Sequence, residues 1–466
     1  MQPEQWDAIV IGAGQAGPAL SARLAKAGLR VALVERQRLG GTCVNTGCTP
    51  SKTLIASAAV AHLVARAHEF GVNARPPASA DYRAVLERVH AVSDESRAGL
   101  GTWLASIGGL TVILGNARFV DSDTVSVGKR QLRAPRIFLN VGCRPVEPPW
   151  ARAAGVQFLT TDTFFDLREL PSDLLIVGGG PVGLELGQAL QRLGSNVTVV
   201  ERAARLLPRE DEDAAKVIQD SLVADGVRFF LSADCFHLER GSTGPCLTFL
   251  QGRDRVGVEG SHVLVAVGRQ PNTADLGLDE AGVAVDERGF IKTDGQLRTT
   301  QPGVWALGDA NGRGAFTHTS WNDYEIVAGA VLDGEQRSVE GRAARYAVFT
   351  DPPLARIGAS TQEASRTGKG VLTGVMPMTR VRRAVERGDT RGFMRVLADA
   401  DTGQVLGATF VCASADEVIH PLVNAMSTGT TVRQLAAIPA IHPTISELVP
   451  TLLQQLQPLA SAISPA

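Results

Sequence analysis

Residues 7–35 read DAIVIGAGQAGPALSARLAKAGLRVALVE. An apolar run enters a cluster of glycines, a stretch with helically spaced apolar residues follows, and a second apolar run ends in an acid. That is the plan of a strand, a tight glycine turn, a helix and a second strand. Residues 173–201, DLLIVGGGPVGLELGQALQRLGSNVTVVE, repeat it. In both copies the first glycine stands 23 positions before the acid, Gly12 before Glu35 and Gly178 before Glu201. One glycine cluster is a weak signal, but two with matching spacing predict two dinucleotide-binding units.

Each residue of the pattern has a physical task. Gly12 and Gly178 permit the tight turn. Gly14 and Gly180 remove a Cβ that would block a pyrophosphate, and Gly17 and Gly183 let helix and strand pack closely. The helix N-terminus then offers free N–H groups and a partial positive charge. Glu35 and Glu201 stand where a ribose diol would sit. A carboxylate at Glu201 accepts from a 2′-OH and repels a 2′-phosphate, which favours NAD over NADP. Arg202 and Arg205 keep NADP possible, since a guanidinium can grip a phosphate, although both read as solvated surface.

Working outward, 466 residues at roughly 100–200 per domain predict three or four domains of an α/β fold. The expected divisions are a dinucleotide-binding domain over 1–147, a second over 148–266, a return to the first over 267–340, and a C-terminal α/β domain over 341–466. Within them the pattern predicts a helix over 53–70, a Pro-containing break at ARPPASA and an amphipathic helix over 81–107. Strands should recur from about 266 to 335, with a helix beginning near 320. The last domain should hold strands near 346–350, 392–398 and 404–412, and helices near 414–428 and 446–456. Apolar residues make up 44%, enough for buried cores. Lys plus Arg number 46 against 48 Asp plus Glu, so charge gives no reason to expect nucleic acid or an anionic membrane. No run of about 18 apolar residues is present. The first residues carry Glu4 and Asp7 and no basic residue, which reads as cytoplasmic rather than secreted.

Residues 40–52, GGTCVNTGCTPSK, carry the chemistry. Two cysteines five apart at the start of a helix can close a small disulfide loop. Helix N-terminal placement and Lys52 are expected to lower thiol pKa values and favour thiolate. The alternatives are metal ligation and two buried cysteines, but no further Cys or His accompanies the pair, and no metal is expected. Near the end, HPTISE places Glu447 about a helical turn beyond His442. A carboxylate on one ring nitrogen sets the tautomer and raises basicity.

GGTCVNTGCTPSK, the doubled glycine pattern and IHPTISE resemble the flavoprotein disulfide reductases, which include dihydrolipoamide dehydrogenase, glutathione reductase and mercuric reductase. The resemblance runs over essentially the whole chain. It implies FAD on the first unit, NAD on the second, and a redox-active Cys43–Cys48 disulfide. TTQPGVWALGDA (299–310) matches the second FAD motif, making Asp309 the ribitol ligand, and GRQPN (268–272) matches the return from the NAD domain. Gly41, Thr42, Gly142, Gly268 and Arg269 join the implied cofactor set. Backbone N–H groups around Thr317 and His318 would face the flavin, a reading preferred over His318 as an acid. Lys52 and Glu185 would pair beside the flavin. Cys48 would lie nearer the flavin, and Cys43 would attack the substrate.

By the same resemblance the chain is a homodimer, with His442 and Glu447 serving the thiol of the other subunit. The substrate would be a small or carrier-borne disulfide. The alternatives are a mercuric-reductase-like reductase of metal ions or quinones, and a redox-sensing flavoprotein without activity. TCVNTGCTPSK and GAFTHTSWNDYEIV look most like the mercuric-reductase branch. No N-terminal Cys-x-x-Cys unit is present, and LLQQLQPLASAISPA (452–466) has no vicinal cysteines to pass mercury inward. Pro181 stands where some relatives have a tyrosine lid. The cluster Arg380, Arg382, Arg383 and Arg387 reads as a solvated face.

Overall fold

The structure is a computed structural model that describes residues 2–73, 80–153 and 155–459. The break at 74–80 lies almost wholly outside these residues, as do the last seven of the chain.

Both repeats fold as parallel α/β units. In the first, the strand order is Val304–Ala306, Ile137–Leu139, Ala8–Ile11, Val31–Glu35 and Leu110–Leu114. All neighbours run parallel, with Ile9 opposite Ala32 and Ile137. The two central strands are buried along their whole length, which explains why they read as continuous apolar runs rather than alternating ones. In the second unit the order is Arg228–Phe230, Asn196–Val200, Asp173–Val177 and His262–Val265, again all parallel. Chain order reverses beside Ala8–Ile11 in one sheet and beside Asp173–Val177 in the other. Those are the positions where open α/β sheets leave a crevice at their carboxyl ends.

A two-stranded antiparallel link, Cys143–Pro145 with Arg269–Pro271, carries the chain out to the second unit and back. The C-terminal domain is a six-stranded antiparallel sheet in the order Arg345–Val348, Leu354–Gly358, Val405–Val411, Phe393–Asp399, Val371–Pro377 and Gln457–Pro458. One apolar core joins these parts. It holds Leu54 and Ala58 of the helix Cys48–Ala65, Leu184 and Leu186 of the helix Pro181–Leu193, and Val348, Leu354 and Val411 of the last sheet. No helix among the described residues is long and apolar enough to cross a membrane.

Several expectations need correction. The helix expected from 53 begins at Cys48 and ends at Ala65, followed by a 3-10 turn over Ala67–Phe70. Strands do not recur through 272–303. That segment is built on turns in which the Asp286 and Asp294 carboxylates accept from backbone N–H groups two and four residues on. The helix expected near 320 starts at Thr317. The helix over 414–428 is two pieces, Ala415–Val418 and His420–Thr428, and the last helix is shorter, Val449–Gln454.

Candidate active site

The two glycine turns match down to their hydrogen bonds. Gly12 has φ +100° and Gly178 φ +116°, values that only glycine adopts freely. A Cβ on Gly17 would lie 2.0 Å from the Gly12 carbonyl oxygen, and one on Gly183 2.3 Å from that of Gly178. The Glu35 carboxylate accepts from Ala13 N–H at 2.8 Å and Gln37 N–H at 2.8 Å. Glu201 accepts from Gly179 N–H at 2.5 Å and Ala203 N–H at 2.7 Å. Both acids therefore brace the turn from the end of the neighbouring strand. A Cβ on Gly180 would meet no protein atom, so the room that glycine leaves faces outward. Beside Glu201, Arg202 Nε lies 3.6 Å from Asp234, and Arg205 donates to the Pro208 carbonyl at 2.9 Å.

The cysteine segment packs against the first turn. Gly40 N–H donates to the Ala13 carbonyl at 2.8 Å, and a Cβ on Gly41 would lie 2.8 Å from Gly14 Cα. Cys43 sits on the short helix Gly41–Asn45, and Cys48 is the first residue of the helix Cys48–Ala65. The structure holds them as two thiols. The hydrogen bond from Cys43 holds the Cys48 thiol down to about 6, assisted by Thr317 and by the Lys52 charge. The same bond, together with burial, pushes Cys43 up. The expected acidification holds at Cys48, the cysteine at the helix start, and not at Cys43.

Lys52 and Glu185, 133 positions apart, meet at 2.6 Å. Glu185 lies in the first turns of the second glycine-bound helix, and its other oxygen accepts from Phe349 N–H at 2.9 Å. The Phe349 ring covers the ammonium at 4.4 Å. One ion pair therefore ties together the cysteine helix, the second glycine unit and the C-terminal sheet.

On the far side of the cysteines, Thr317 opens the helix Thr317–Ala328, and its hydroxyl lies 3.6 Å from Cys48 Sγ. His318 Nε2 bonds to the Arg345 carbonyl at 2.7 Å, so that nitrogen carries the proton, and burial holds the ring below the usual histidine range. This favours a neutral, structural imidazole over a catalytic acid. Arg269 donates to Thr42 Oγ1 at 3.1 Å and to the Cys143 carbonyl, while its buried Nε has no partner. The Asp309 carboxylate is raised by burial and meets a cation only at 3.9 Å, through Arg269. Gly142 and Gly268, both at positive φ, precede the two linking strands beside these groups.

His442 Nδ1 bonds to Glu447 at 2.6 Å. The Glu447 side chain is 9% exposed, whereas the imidazole is 74% exposed at the edge of a cavity of about 560 Å³ lined by Ile438, Pro439 and Leu448. Among the described residues, no hydrogen bond or ion pair joins His442 to Cys43 or Cys48 within one chain. In the arginine cluster, Arg382 and Arg383 lie near Glu386 and Arg387 reaches Ser414, as on a solvated face.

Residues 6–327 match the family described as pyridine nucleotide-disulphide oxidoreductase, and residues 345–453 match its dimerisation domain. The chain belongs to the pyridine nucleotide-disulphide oxidoreductases. It is 34% identical over 458 residues to the probable pyridine nucleotide-disulfide oxidoreductase RclA of Escherichia coli, covering 95% of this chain and 97% of that one. It is 35% identical over 450 residues to dihydrolipoyl dehydrogenase 2 of Haloarcula marismortui, with 95% and 94% covered. A mercuric reductase of Streptomyces lividans is 33% identical over 92% of both chains. Among solved structures, the Cu(II) complex of HOCl-induced flavoprotein disulfide reductase RclA superposes with a TM-score of 0.87 at 32% identity, covering 97% and 99%.

In this oxidoreductase, two important residues were given no role from the sequence: Asn140, which lies outside every motif, and Asn45, which lies within the cysteine segment. Asn140 follows the strand Ile137–Leu139 at the reversal point of the first sheet. Its Oδ1 accepts from Gly17 N–H at 3.0 Å, its Nδ2 donates to the Leu307 carbonyl at 3.2 Å, and its backbone oxygen would meet a Cβ on Gly12 at 2.2 Å. Asn45 holds the cysteine loop by donating to the Leu39 and Gly41 carbonyls, and it accepts from Arg97 at 2.9 Å. The one signal for Asn140 is a polar residue closing a buried apolar run, where an amide is costly unless bonded.

Proposed function

We propose that the chain is an FAD-dependent NAD(P)H:disulfide oxidoreductase, dihydrolipoamide-dehydrogenase-like, acting on a small or carrier-borne disulfide. The observation that carries this is the placement of two adjacent cysteines, Cys43 on the short helix Gly41–Asn45 and Cys48 at the start of the next helix, with the Thr317 hydroxyl 3.6 Å from Cys48 Sγ and the Lys52–Glu185 pair one turn on. In that setting the Cys48 thiol is held below its usual range and Cys43 above it.

The residues present fit FAD. Gly12, Gly14, Gly17 and Glu35 would hold the ADP half. Gly41, Thr42, Gly142, Gly268, Arg269 and Asp309, with the helix start at Thr317 and His318, would hold the rest. The buried Arg269 Nε makes no hydrogen bond and faces the Asp309 carboxylate only at 3.9 Å, so both groups have bonding capacity left for a ligand. When bound, FAD supplies the relay that takes a hydride from NAD(P)H and delivers an electron pair to the Cys43–Cys48 disulfide. Gly178, Gly180, Gly183 and Glu201 would hold the nucleotide. NADH is the preferred donor, because Glu201 stands at the ribose position, while Arg202 lies largely exposed near Asp234 and Arg205 donates to the Pro208 carbonyl.

The chain's own residues then do the following. Cys43 loses its proton to the partner subunit's His442 and attacks one sulfur of the substrate disulfide. The leaving thiolate takes that proton from the imidazole. Cys48, already a thiolate, attacks Cys43 Sγ, closing the Cys43–Cys48 disulfide and expelling the second substrate thiolate. Glu447 holds the imidazole in one tautomer throughout. A complete site on this scheme needs two chains, which the matched dimerisation domain supports.

A metal ion as acceptor is the second reading, favoured by the similarity to a mercuric reductase and to a protein solved as a Cu(II) complex. The deciding experiment is NADH consumption with lipoamide, glutathione disulfide, other low-molecular-weight disulfides, Hg(II), Cu(II) and quinones. Efficient turnover of at least one disulfide is expected. Turnover of Hg(II) or Cu(II) with no disulfide reduced would establish the second reading.

A further inference from the structure

Cys48 touches Thr317, and the position of Thr317 is set by what holds the start of its helix. Phe316, the residue before that helix, is clamped. Its ring is parallel to Tyr346 at 5.3 Å and 3°, and to His318 at 5.4 Å and 9°. Tyr346 lies on the strand Arg345–Val348, and the adjoining Arg345 carbonyl takes the His318 bond, so stack and hydrogen bond fasten the same two segments. The Tyr346 hydroxyl donates to Glu210, a buried carboxylate that also faces buried Arg356 at 3.5 Å. Glu210 ends the loop that begins at Glu201. Glu210 N–H bonds to the Leu207 carbonyl at 2.9 Å, and Leu207 N–H to the Gly179 carbonyl at 3.2 Å.

We propose that Tyr346 is a positioning residue that anchors Phe316 and so holds the Thr317 hydroxyl against Cys48, linking the nucleotide-side loop to the thiol. The inference uses the proposed role of Cys48 only to choose the thiol. Its test reads the thiol itself, so it can fail or hold whatever the substrate proves to be.

A serine in place of Cys43 leaves one active-site thiol, whose alkylation rate against pH reports the Cys48 thiolate. The groups facing it are residue 43, Thr317, Lys52 and Glu185. In that background Tyr346→Ala is expected to raise the apparent pKa by about one unit, a tenfold loss of thiolate at a pH below it. Tyr346→Phe keeps the stack and should restore most of the shift. Thr317→Val should raise the pKa similarly, and the Tyr346→Ala/Thr317→Val double variant should add nothing further. Additive shifts, or no shift with Tyr346→Ala, would overturn the proposal. Should the alanine variant fail to fold, Phe316→Leu makes the same test, with the same two outcomes deciding.

Discussion

Replacing Glu185 with glutamine isolates what its charge does. The carboxylate serves two donors at once, Lys52 Nζ at 2.6 Å and Phe349 N–H at 2.9 Å. An amide offers a single oxygen, so one of the two donors must face an NH2 group. The Glu185 side chain is only 6% exposed, so water cannot easily replace the lost bond, whereas Lys52 at 33% can turn to solvent. A hydrogen bond to a charged group is worth roughly 1.5–3 kcal/mol. If that bond orients Lys52 during turnover, NADH-driven turnover should fall by about ten- to a hundredfold. The thiol should move the opposite way. The Glu185 charge raises Cys48, so its removal should lower the thiol pKa relative to the same background with Glu185 intact. Alkylation of Cys48 against pH in the Cys43→Ser background reads this directly. An unchanged or higher pKa would refute the reasoning, because it would mean the pair acts on Cys48 only by fixing the lysine.

The two glycine units should separate by substitution. Gly17→Ala forces a Cβ to 2.0 Å from the Gly12 carbonyl and should give colourless protein, whereas Gly183→Ala should stay yellow and raise KM for NADH, both checked by absorbance and steady-state kinetics. Glu201→Ala should reduce the preference for NADH over NADPH in kcat/KM by about tenfold, the order of one charged hydrogen bond. Equal use of both nucleotides by the unmodified protein would show that the arginines prevail. Mixed Cys43→Ser and His442→Ala chains should recover activity that neither has alone, and full activity in a monomer on sedimentation would contradict a shared site.

The sequence was most legible where one local pattern serves one local structure. The 166-residue offset between the glycine units survives into hydrogen bonding, with Ala13, Glu35 and Gln37 answered by Gly179, Glu201 and Ala203. What stayed hidden depends on distant partners. Asn140 bonds to Gly17 across 123 residues, and nothing near either marks the pairing. The strand Val371–Pro377 contains Gly374 and ends in proline, which argue against a strand. Gly374 is there because a Cβ would lie 2.9 Å from Leu452 of the covering helix. The meander over Ala233–Arg240, Pro245–Gln251 and Asp254–Glu259 escaped because its alternation is broken by a bulge between Asp234 and His237. The opposite shifts of the two thiols also needed geometry, since spacing alone treats Cys43 and Cys48 alike.

The central claim is that the dithiol reduces a disulfide with the imidazole as its proton carrier. His442→Gln tests it most directly, with turnover measured in parallel on the best disulfide of the panel and on an artificial quinone. A positioned acid–base group contributes about 10²–10⁴. Disulfide turnover should fall by about that factor while quinone turnover stays within about twofold, because a quinone needs no thiolate expelled. An equal fall with both acceptors, or no fall with the disulfide, would contradict the account.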